Sequence, residues 1–257
     1  MQITSNSFIL FQGESHMIPF ERRVQLLKLL EAQKTLSVRE LSTRLFVSEA
    51  SVRRDIEELE AQGQVKRIWG GVMLASAPNV VVPIDLRDGE HSAVKEALAQ
   101  RAAALISDGD SIIMDGSSTV RRIVKHLDGK KNLRIITNNL RIFHDCITPD
   151  VQLYCTGGLY FPKNQIFIGP AAESYLRTIS ADILFFSSQG LSEDGEISDA
   201  SEEETALRRV MLQRARKKVF LCDSSKLGVR KGFTLCRKEE VSEIICNMPL
   251  PWESVSL

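Results

Sequence analysis

Residues 37–63 read SVRELSTRLFVSEASVRRDIEELEAQG, and this stretch decides the fold of the N-terminal part of the chain. Ser37 and Glu40 have the spacing of a capping box, in which a serine hydroxyl and a glutamate carboxylate satisfy each other's backbone N–H groups, so a helix is predicted to begin there. Ser48 is placed to cap a further helix that ends at Gly63. Two short helices joined by a tight turn predict a helix-turn-helix.

Apolar residues at helical spacing predict three helices in this region. The first is expected from Glu21 to Leu30, behind Pro19, because Val24, Leu27 and Leu30 recur at the spacing of one helix face. The buried stripes expected on the second and third helices are Val38, Leu41 and Leu45, and then Val52, Ile56 and Leu59.

The segment after the third helix predicts a wing. Residues 64–72 alternate weakly between polar and apolar side chains and contain Gly70 and Gly71, as two strands joined by a glycine turn would. Lys66 and Arg67 in this segment are expected to face a DNA backbone.

The helix-turn-helix predicts a DNA-binding surface. In this geometry the first turns of the last helix enter the major groove, where an arginine can bond bidentately to guanine or clamp a phosphate. The same pattern is compatible with a three-helix bundle that makes only protein contacts, in which Arg53 and Arg54 form a solvated face. The residues predicted to bind DNA are Ser37, Ser48, Glu49, Ala50, Ser51, Arg53, Arg54, Lys66 and Arg67.

Charge is balanced over the whole chain, which has 33 Lys and Arg residues and 33 Asp and Glu residues. Residues 17–74 hold 10 basic against 8 acidic residues, whereas residues 75–257 hold 23 against 24. This mild asymmetry favours nucleic acid binding by the N-terminal part.

Composition predicts a cytoplasmic protein without a membrane span. No apolar stretch approaches the roughly 20 residues that a spanning helix needs. The five cysteines include no C-x-x-C pair, and the four histidines are isolated in the sequence, so no zinc site is predicted. We expect reduced cysteines, no metal and no cofactor.

The sequence divides into four segments. Residues 1–16 lack any periodicity and end in a stretch that looks like a protease-site and vector remnant, so we interpret them as an expression tag. The predicted DNA-binding domain covers residues 17–74. Residues 75–90 contain two prolines and no clear period, which predicts an extended linker. Residues 91–257 are expected to form the second domain.

Strand-like and helical stretches alternate through the second domain. Continuous apolar strands alternating with helices predict an α/β fold, in which a mostly parallel, Rossmann-like sheet is covered by helices on both faces. A helix carrying Ile123, Val124 and Leu127 is expected after the first of these strands. The predicted strands are residues 111–114, 133–137, 151–155, 182–187, 218–222 and 243–246.

Polar and glycine residues collect where these strands end, at the edge where parallel α/β sheets bind ligands. At Asp115 to Thr119, free backbone N–H groups, two hydroxyls and a helix dipole could hold a phosphate, although a plain turn in which Ser117 or Ser118 caps a helix fits equally well. Together the strand ends predict a site for a polar, anionic metabolite. The other strand ends are Thr137 to Asn139, Thr156 to Gly158, Gln189 and Gly190, and Asp223 to Lys226.

The N-terminal part closely resembles the DNA-binding domain of the DeoR family of repressors. The resemblance rests on Ser48-x-x-x-Val52-Arg53-Arg54-Asp55-Ile56 with its trailing Gly70-Gly71, which is nearly a family signature. It continues through Lys95, the Asp115 to Thr119 loop, Gly169-Pro170 and Asp223-Ser224-Ser225-Lys226, and so covers nearly the whole chain.

This resemblance implies a repressor of carbohydrate genes that binds operator DNA and is released by a phosphorylated sugar. It implies that the phosphate lies on the Asp115 to Thr119 loop and the sugar near Asp223 and Lys226, and we expect a homodimer or homotetramer. The residues expected to bind the effector are Lys95, Asp115, Gly116, Ser117, Ser118, Thr119, Thr137, Asn138, Gly157, Gly158, Gln189, Glu203, Arg208, Asp223 and Lys226.

Two other functions fit parts of the sequence. The second domain also resembles ribose-phosphate isomerases, but Gln189 and Ser192 stand where those enzymes place two aspartates, and neither can act as a base near neutral pH. Glu202 to Glu204 could replace a carboxylate, and Arg208 can grip phosphate without readily donating a proton. We therefore predict no catalysis. The remaining alternative is an architectural DNA-binding protein whose large domain only dimerises.

Overall fold

The computed structural model describes residues 17–33, 35–68, 71–75, 84–146 and 149–252. The chain falls into two compact units, Met1–Ala77 and Pro78–Leu257. The predicted tag remnant at residues 1–16 and the wing residue Gly70 lie outside the described residues.

The first unit is a winged helix-turn-helix. Its small antiparallel sheet has the strand order β1-β3-β2, with β2 and β3 pairing as the predicted wing. The elements are α1 (Pro19–Ala32), β1 (Thr35–Leu36), α2 (Val38–Leu45), α3 (Glu49–Ala61), β2 (Val65–Ile68) and β3 (Gly71–Leu74).

Both predicted helix caps are present. The Ser37 hydroxyl accepts the Glu40 N–H at 3.2 Å, while the Glu40 carboxylate accepts the Ser37 N–H at 2.8 Å, which confirms the capping box. Ser48 caps α3 by accepting the Ser51 N–H at 3.2 Å. The predicted apolar stripes meet in one core, in which Leu41 and six other predicted stripe residues are buried; those six are Leu27, Leu30, Leu45, Val52, Ile56 and Leu59.

The second unit is built on a six-stranded parallel sheet, as predicted. Its strand order is β14-β12-β9-β4-β5-β6. All five neighbouring pairs are parallel. The strands are β4 (Ser111–Met114), β5 (Leu133–Thr137), β6 (Val151–Cys155), β9 (Ala181–Phe186), β12 (Ala215–Cys222) and β14 (Glu243–Cys246).

The remaining elements surround this sheet. The helices are α4 (Ile84–Gly89), α5 (Ser92–Ala103), α6 (Ser118–Arg121), α7 (Leu140–Asp145), α8 (Pro170–Arg177) and α9 (Glu202–Arg214), with 3₁₀ turns at Arg122–His126, Ser224–Lys226 and Lys238–Glu240. A hairpin is formed by β7 (Leu159–Phe161) and β8 (Ile166–Ile168). A small antiparallel sheet is formed by β10 (Gly190–Leu191), β11 (Glu196–Asp199) and β13 (Phe233–Arg237).

Apolar side chains cover both faces of the parallel sheet. Along β9, Leu184 and Phe186 point into one cluster, which α8 and α9 complete, whereas Ile183 and Phe185 point into the opposite cluster, which α5 and α6 complete. Because successive side chains of a strand point to opposite faces, a strand buried on both sides must be apolar throughout. This is why the sequence pattern located the strands so closely.

Two sequence predictions were wrong. Residues 84–89 of the expected extended linker form α4, and Ile84 is fully buried with its N–H bonded to the Lys163 carbonyl oxygen at 3.1 Å. The helix expected to carry Ile123 and Val124 is instead the four-residue α6 followed by a 3₁₀ turn. Both segments are too short for helical periodicity to be read reliably, and their tertiary contacts decide their conformation.

Candidate functional site

The predicted recognition helix presents two exposed arginines. Arg53 and Arg54 both lie on the exposed face of α3, and the Arg53 side chain is 57% exposed. The Arg53 guanidinium bonds to the Glu49 carboxylate one turn earlier at 2.6 Å. Such an exposed ion pair stabilises a helix only slightly, so a phosphate or a base can replace the carboxylate at low cost.

A groove of about 410 Å³ brings several predicted DNA-binding residues together. Ser37 from the α2 cap, Glu49 and Arg53 from α3, and Arg67 from the wing all line it. Arg39 of α2 lines it as well, and sequence reasoning missed this residue. The signal was available, because Arg39 lies off the apolar stripe of an amphipathic helix.

The wing arginine is held against α3. Arg67 bonds to Glu60 at 3.0 Å and to Glu57 at 3.3 Å, so its charge is shared with two carboxylates although its side chain is 46% exposed. Lys66 lies exposed on the same strand and does not line the groove. The first unit thus offers an arginine-rich surface around the start of α3, with the wing beside it.

Asp115 organises the strand ends of the second unit. It is fully buried at the end of β4 and accepts hydrogen bonds from the N–H groups of Ser117 at 3.0 Å and Ser187 at 3.2 Å. Arg208 of α9 donates to the same carboxylate at 2.8 Å. These contacts tie the end of β4 to the end of β9 and to α9.

Arg208 occupies a different position from the one predicted for it. Its guanidinium is 4% exposed and donates to Asp115, Asp199 and Glu204 at 2.8, 2.8 and 2.9 Å. Burial opposes the charge, but Asp199 and the other carboxylates outweigh it and raise the pKa of Arg208 above its ordinary value. A guanidinium engaged in this way braces the loops, because each of its three nitrogen atoms already donates to a carboxylate.

The acidic side chain at the start of α9 that reaches the interior is Glu204, not the predicted Glu203. Glu203 is exposed and accepts a hydrogen bond from the Ser201 hydroxyl at 3.0 Å. Glu204 is buried against Arg208 and also bonds Asn164, and burial raises the pKa of its carboxyl. Successive helix residues point about 100° apart, so the choice among three consecutive glutamates depended on packing.

Two lysine ammonium groups lie near each other at these strand ends. Burial and the nearby Lys226 ammonium lower the pKa of Lys95 to about 8, although Asp223 opposes the shift. The Lys226 ammonium donates to the Ser187 hydroxyl at 2.8 Å and pairs with Asp223 at 3.3 Å. Although burial opposes it, Lys226 lowers the pKa of Asp223. Arg87 and Glu90 also act on Lys95, so three cations stand against two carboxylates, and this local excess of positive charge favours an anion.

The Asp115 to Thr119 loop presents buried polar groups. Ser117 caps α6 by accepting the Val120 N–H at 3.2 Å, which matches the turn interpretation of this serine. Ser118 is 4% exposed, and the Thr119 hydroxyl is buried without a hydrogen-bond partner among the described residues. A helix of four residues has little dipole, so hydroxyl and N–H groups, not a helix dipole, would have to bind an anion here.

The β7–β8 hairpin lies over two of the strand ends. Asn138 donates to the Phe167 carbonyl oxygen at 3.0 Å, while its own side-chain oxygen is buried without a partner in the described part of the chain. A side chain at Gly116 would meet the Ile166 side chain, and one at Gly158 would meet the Ile168 carbonyl oxygen at 2.7 Å. Gly158 also has a φ of +110°, so only glycine fits this turn without strain.

Thr137 and Gly157, two of the residues predicted to bind the effector, help to shape the backbone at the other strand ends. The Thr137 hydroxyl accepts the Asn139 N–H at 3.0 Å, and Gly157 adopts a φ of +62° in the turn after β6. The side-chain nitrogen of Gln189 is buried without a partner among the residues described. Ser192 donates to Asp194 at 2.5 Å.

Within the described ranges, no cluster of three histidine, cysteine or acidic residues is placed to hold a metal ion.

Two family models match this chain along most of its length. Residues 22–77 match the DeoR-like helix-turn-helix domain, and residues 90–248 match the DeoR C terminal sensor domain. The chain belongs to the DeoR family of transcriptional repressors. This confirms the resemblance seen in the sequence and assigns DNA binding to the first unit and sensing to the second.

Curated relatives match this DeoR-family chain over about nine-tenths of its length. The HTH-type transcriptional regulator GolR of Listeria innocua is 30% identical over 232 residues, which cover 90% of this chain and 91% of that protein. The HTH-type transcriptional repressor GlcR of Bacillus subtilis is 29% identical and covers 88% of each chain. The transcriptional repressor AccR of Agrobacterium fabrum is 27% identical and covers 88% of this chain and 89% of its own.

Solved structures give weaker matches to this DeoR-family chain. Ribose 5-phosphate isomerase A of Methanocaldococcus jannaschii is 16% identical, with a TM-score of 0.40 over 54% of this chain and 55% of that one. The Pyrococcus horikoshii translation initiation factor eIF-2B is 15% identical, with a TM-score of 0.42 over 88% and 87%. Scores of this size do not establish a shared fold.

Among the helices that the structure describes, none has both the length and the apolar character needed to cross a bilayer.

Proposed function

We propose that this repressor controls carbohydrate genes and is regulated by a phosphorylated sugar bound at the carboxyl edge of its parallel sheet. The observation that carries the proposal is the Lys226–Asp223 ion pair at 3.3 Å with the buried Lys95 ammonium in electrostatic reach of both, in a cluster where the cations, Arg87 included, outnumber the carboxylates of Asp223 and Glu90. A bound phosphate dianion would neutralise this excess charge, so the proposed phosphate position is beside Lys95 and Lys226 and not on the Asp115 to Thr119 loop that the family resemblance implies. Charge-assisted hydrogen bonds of this kind are roughly twice as strong as neutral ones.

The neutral groups at the same edge suit sugar hydroxyls. The Thr119 hydroxyl, the Asn138 side-chain oxygen and the Gln189 side-chain nitrogen are buried polar atoms without partners among the residues described here. An unmade hydrogen bond at a buried polar group costs about 1–3 kcal/mol, which a hydroxyl-bearing ligand would recover. Glu203 and Arg208 are left out of this proposed site because Glu203 is exposed and the Arg208 guanidinium is engaged with three buried carboxylates.

In the proposed mechanism, two or four chains associate so that paired recognition helices meet repeated half-sites on the operator. The sugar phosphate would favour an arrangement with lower operator affinity, because a ligand shifts an equilibrium only through its different affinities for the two states. Arg53 and Arg54 would contact bases or phosphates in the major groove. Such a regulator works in the cytoplasm, where its operator lies.

We further propose that the sensor unit binds its ligand without converting it. Isomerisation of a sugar phosphate needs a carboxylate that shuttles a proton between neighbouring carbons. Gln189 and Ser192 offer an amide and a hydroxyl, and the buried carboxylates of Asp115 and Glu204 are engaged with Arg208. An assay with ribose and arabinose phosphates should therefore show no turnover above the rate without protein. Measurable turnover would contradict this proposal.

A thermal-shift screen tests the effector site. Phosphorylated sugars should raise the melting temperature of the full chain, whereas the same sugars without phosphate should not. Lys226→Met and Ser118→Ala should abolish the shift. Lys217→Met is the matched control, because Lys217 is a partly exposed lysine nearer the start of β12 and pairs with Glu243 at 2.9 Å. A screen in which no phosphorylated sugar stabilises the protein would overturn the proposal.

A further inference from the structure

Helix α4 is the first described element of the sensor unit after the connecting residues 76–83. Its first residue, Ile84, is fully buried, and the Ile84 N–H donates to the Lys163 carbonyl oxygen at 3.1 Å. The helix is only six residues long, so tertiary contacts, not its own hydrogen bonds, must hold it in place.

Asp88 fastens α4 to the sensor unit through three arginines. Its carboxylate pairs with Arg121 at 2.7 Å and with Arg141 at 3.1 Å, and Arg122 donates to its backbone carbonyl oxygen at 2.7 Å. Arg121 ends α6 and Arg141 lies in the first turn of α7, the helices that follow the strand-end loops of β4 and β5. One aspartate thus joins α4 to the elements behind two of the loops of the proposed effector site.

Lys95 connects α4 to the proposed anion site itself. The Lys95 ammonium donates a hydrogen bond to the carbonyl oxygen of Arg87, a residue of α4. This is the single hydrogen bond that the ammonium makes with the described residues, and an ammonium has three N–H donors. Lys95 is 4% exposed, so its remaining donors are shielded from solvent, and Lys226 and Asp223 lie within electrostatic reach of the ammonium.

We propose that α4 is an effector-sensing clasp, which an anion bound beside Lys226 tightens by holding the Lys95 ammonium in its hydrogen bond to the Arg87 carbonyl oxygen. This inference rests on the proposed function, since it requires an anion at that site. An anion that accepts the remaining N–H donors of Lys95 fixes the ammonium in the position from which it donates to the Arg87 carbonyl oxygen. Occupancy of the site therefore orders the element that adjoins the connecting segment.

Hydrogen exchange of the full chain tests the clasp. Inorganic phosphate, and separately the sugar phosphate with the largest thermal shift, should slow amide exchange in residues 84–91 by about 5-fold or more, because exchange reports local opening. Sodium chloride at the same ionic strength controls for salt. Unchanged or faster exchange in this segment at saturating ligand would overturn the proposal.

The variant Asp88→Asn separates the clasp from ligand binding. It removes the charge that fastens α4 but leaves Lys95 and Lys226 in place. Ligand affinity should therefore stay within about 3-fold of that of the native chain, while the ligand should no longer slow amide exchange in residues 84–91. The ratio of operator Kd with and without ligand, expected at roughly 5–150 in the native chain, should fall towards 1. Asp182→Asn is the matched control, since Asp182 also pairs with an arginine, Arg216, but at the other end of β9.

The possible failures are distinguishable. If ligand binds but exchange in residues 84–91 does not change, the clasp is wrong and the proposed function stands. If neither inorganic phosphate nor any sugar phosphate binds, both fail. If Asp88→Asn does not fold, the exchange measurement on the native chain decides by itself.

Discussion

Arg53 and Arg54 of the recognition helix are exposed, whereas Arg208 of the sensor unit, which carries the same guanidinium group, is buried. Arg53 is 57% exposed and holds one carboxylate of its own helix. Arg208 is 4% exposed and holds three carboxylates from three parts of the chain. An exposed ion pair is exchanged easily for a ligand, whereas a buried one is expensive to disturb. Exposure and partners, more than residue type, thus separate a binding residue from a structural one.

The largest effect expected from this comparison is on stability. Arg208→Met would leave the carboxylates of Asp115, Asp199 and Glu204 buried without their cation, and breaking a buried ion pair costs about 3–5 kcal/mol of unfolding free energy. Chemical denaturation measures the loss. Arg209→Met, the exposed neighbour on the same helix, is the control and should lose far less. Equal losses in the two variants would show that the buried ion pairs of Arg208 do not stabilise the fold.

The next effect is on DNA binding. Arg53→Ala and Arg54→Ala should each weaken operator binding by about 1–3 kcal/mol if the side chains touch bases. An arginine that instead neutralises a phosphate should, when replaced, make operator affinity less dependent on salt concentration. Arg216→Ala is a matched control, because Arg216 is 81% exposed but belongs to the sensor unit. Native operator affinity in the double variant, measured by fluorescence anisotropy, would remove both residues from the DNA surface.

A smaller effect concerns the pH dependence of stability. The pKa of Lys95 falls from its ordinary 10.5 to about 8 on folding, so between these values the unfolded chain binds a proton that the folded chain does not. Stability without ligand should therefore rise with pH across this window. Lys95→Met loses the hydrogen bond to the Arg87 carbonyl oxygen at every pH but also removes the buried charge, so its stability relative to the native chain should be more favourable at pH 7 than above pH 10 by roughly 1–3 kcal/mol. Denaturation at both pH values checks this, and a pH-independent difference would contradict it.

The smallest effect concerns the exposed side of the comparison. Glu49→Gln frees the Arg53 guanidinium from its carboxylate, and exposed pairs of this kind are worth about 0.2–1 kcal/mol. Operator affinity should therefore rise by no more than about 5-fold, with protein stability nearly unchanged. Glu58→Gln is a control on the same helix, since Glu58 pairs with Arg23 at 2.6 Å outside the groove. A loss of affinity in Glu49→Gln would instead support the sequence prediction that Glu49 itself binds DNA.

Much of the fold could be predicted because local rules and tertiary packing agree. The capping box at Ser37 and Glu40 depends on two residues three apart, and the structure contains it. The strands β4, β5, β6 and β14 begin and end at the predicted residues; the inner strand β4 has the continuous apolar run of a strand buried on both faces, whereas the edge strand β6 alternates with exposed residues. Parallel pairing alone predicts that a ligand binds at the carboxyl edge of the sheet. The loops at that edge could therefore be named as candidates from the sequence.

The remaining features depend on contacts distant in sequence. Glu203 and Glu204 are equally plausible from the sequence, and only the placement of Arg208 selects the second. Helix α4 has too few residues for a periodic signal and is held by Asp88 and Lys95. The short strands of the β7–β8 hairpin and of the small antiparallel sheet were missed for the same reason. Side-chain roles in the site were therefore harder to predict than its location.

The loops of the proposed site leave separate strands of one sheet. The ligand preference of such a sensor can therefore evolve one loop at a time. Each loop can be altered without moving the apolar strands that support it, as long as the Asp115 and Arg208 contacts persist. A gene duplicate of this chain could thus acquire a new sugar preference through substitutions in a single loop, while its fold and its operator reading are inherited unchanged.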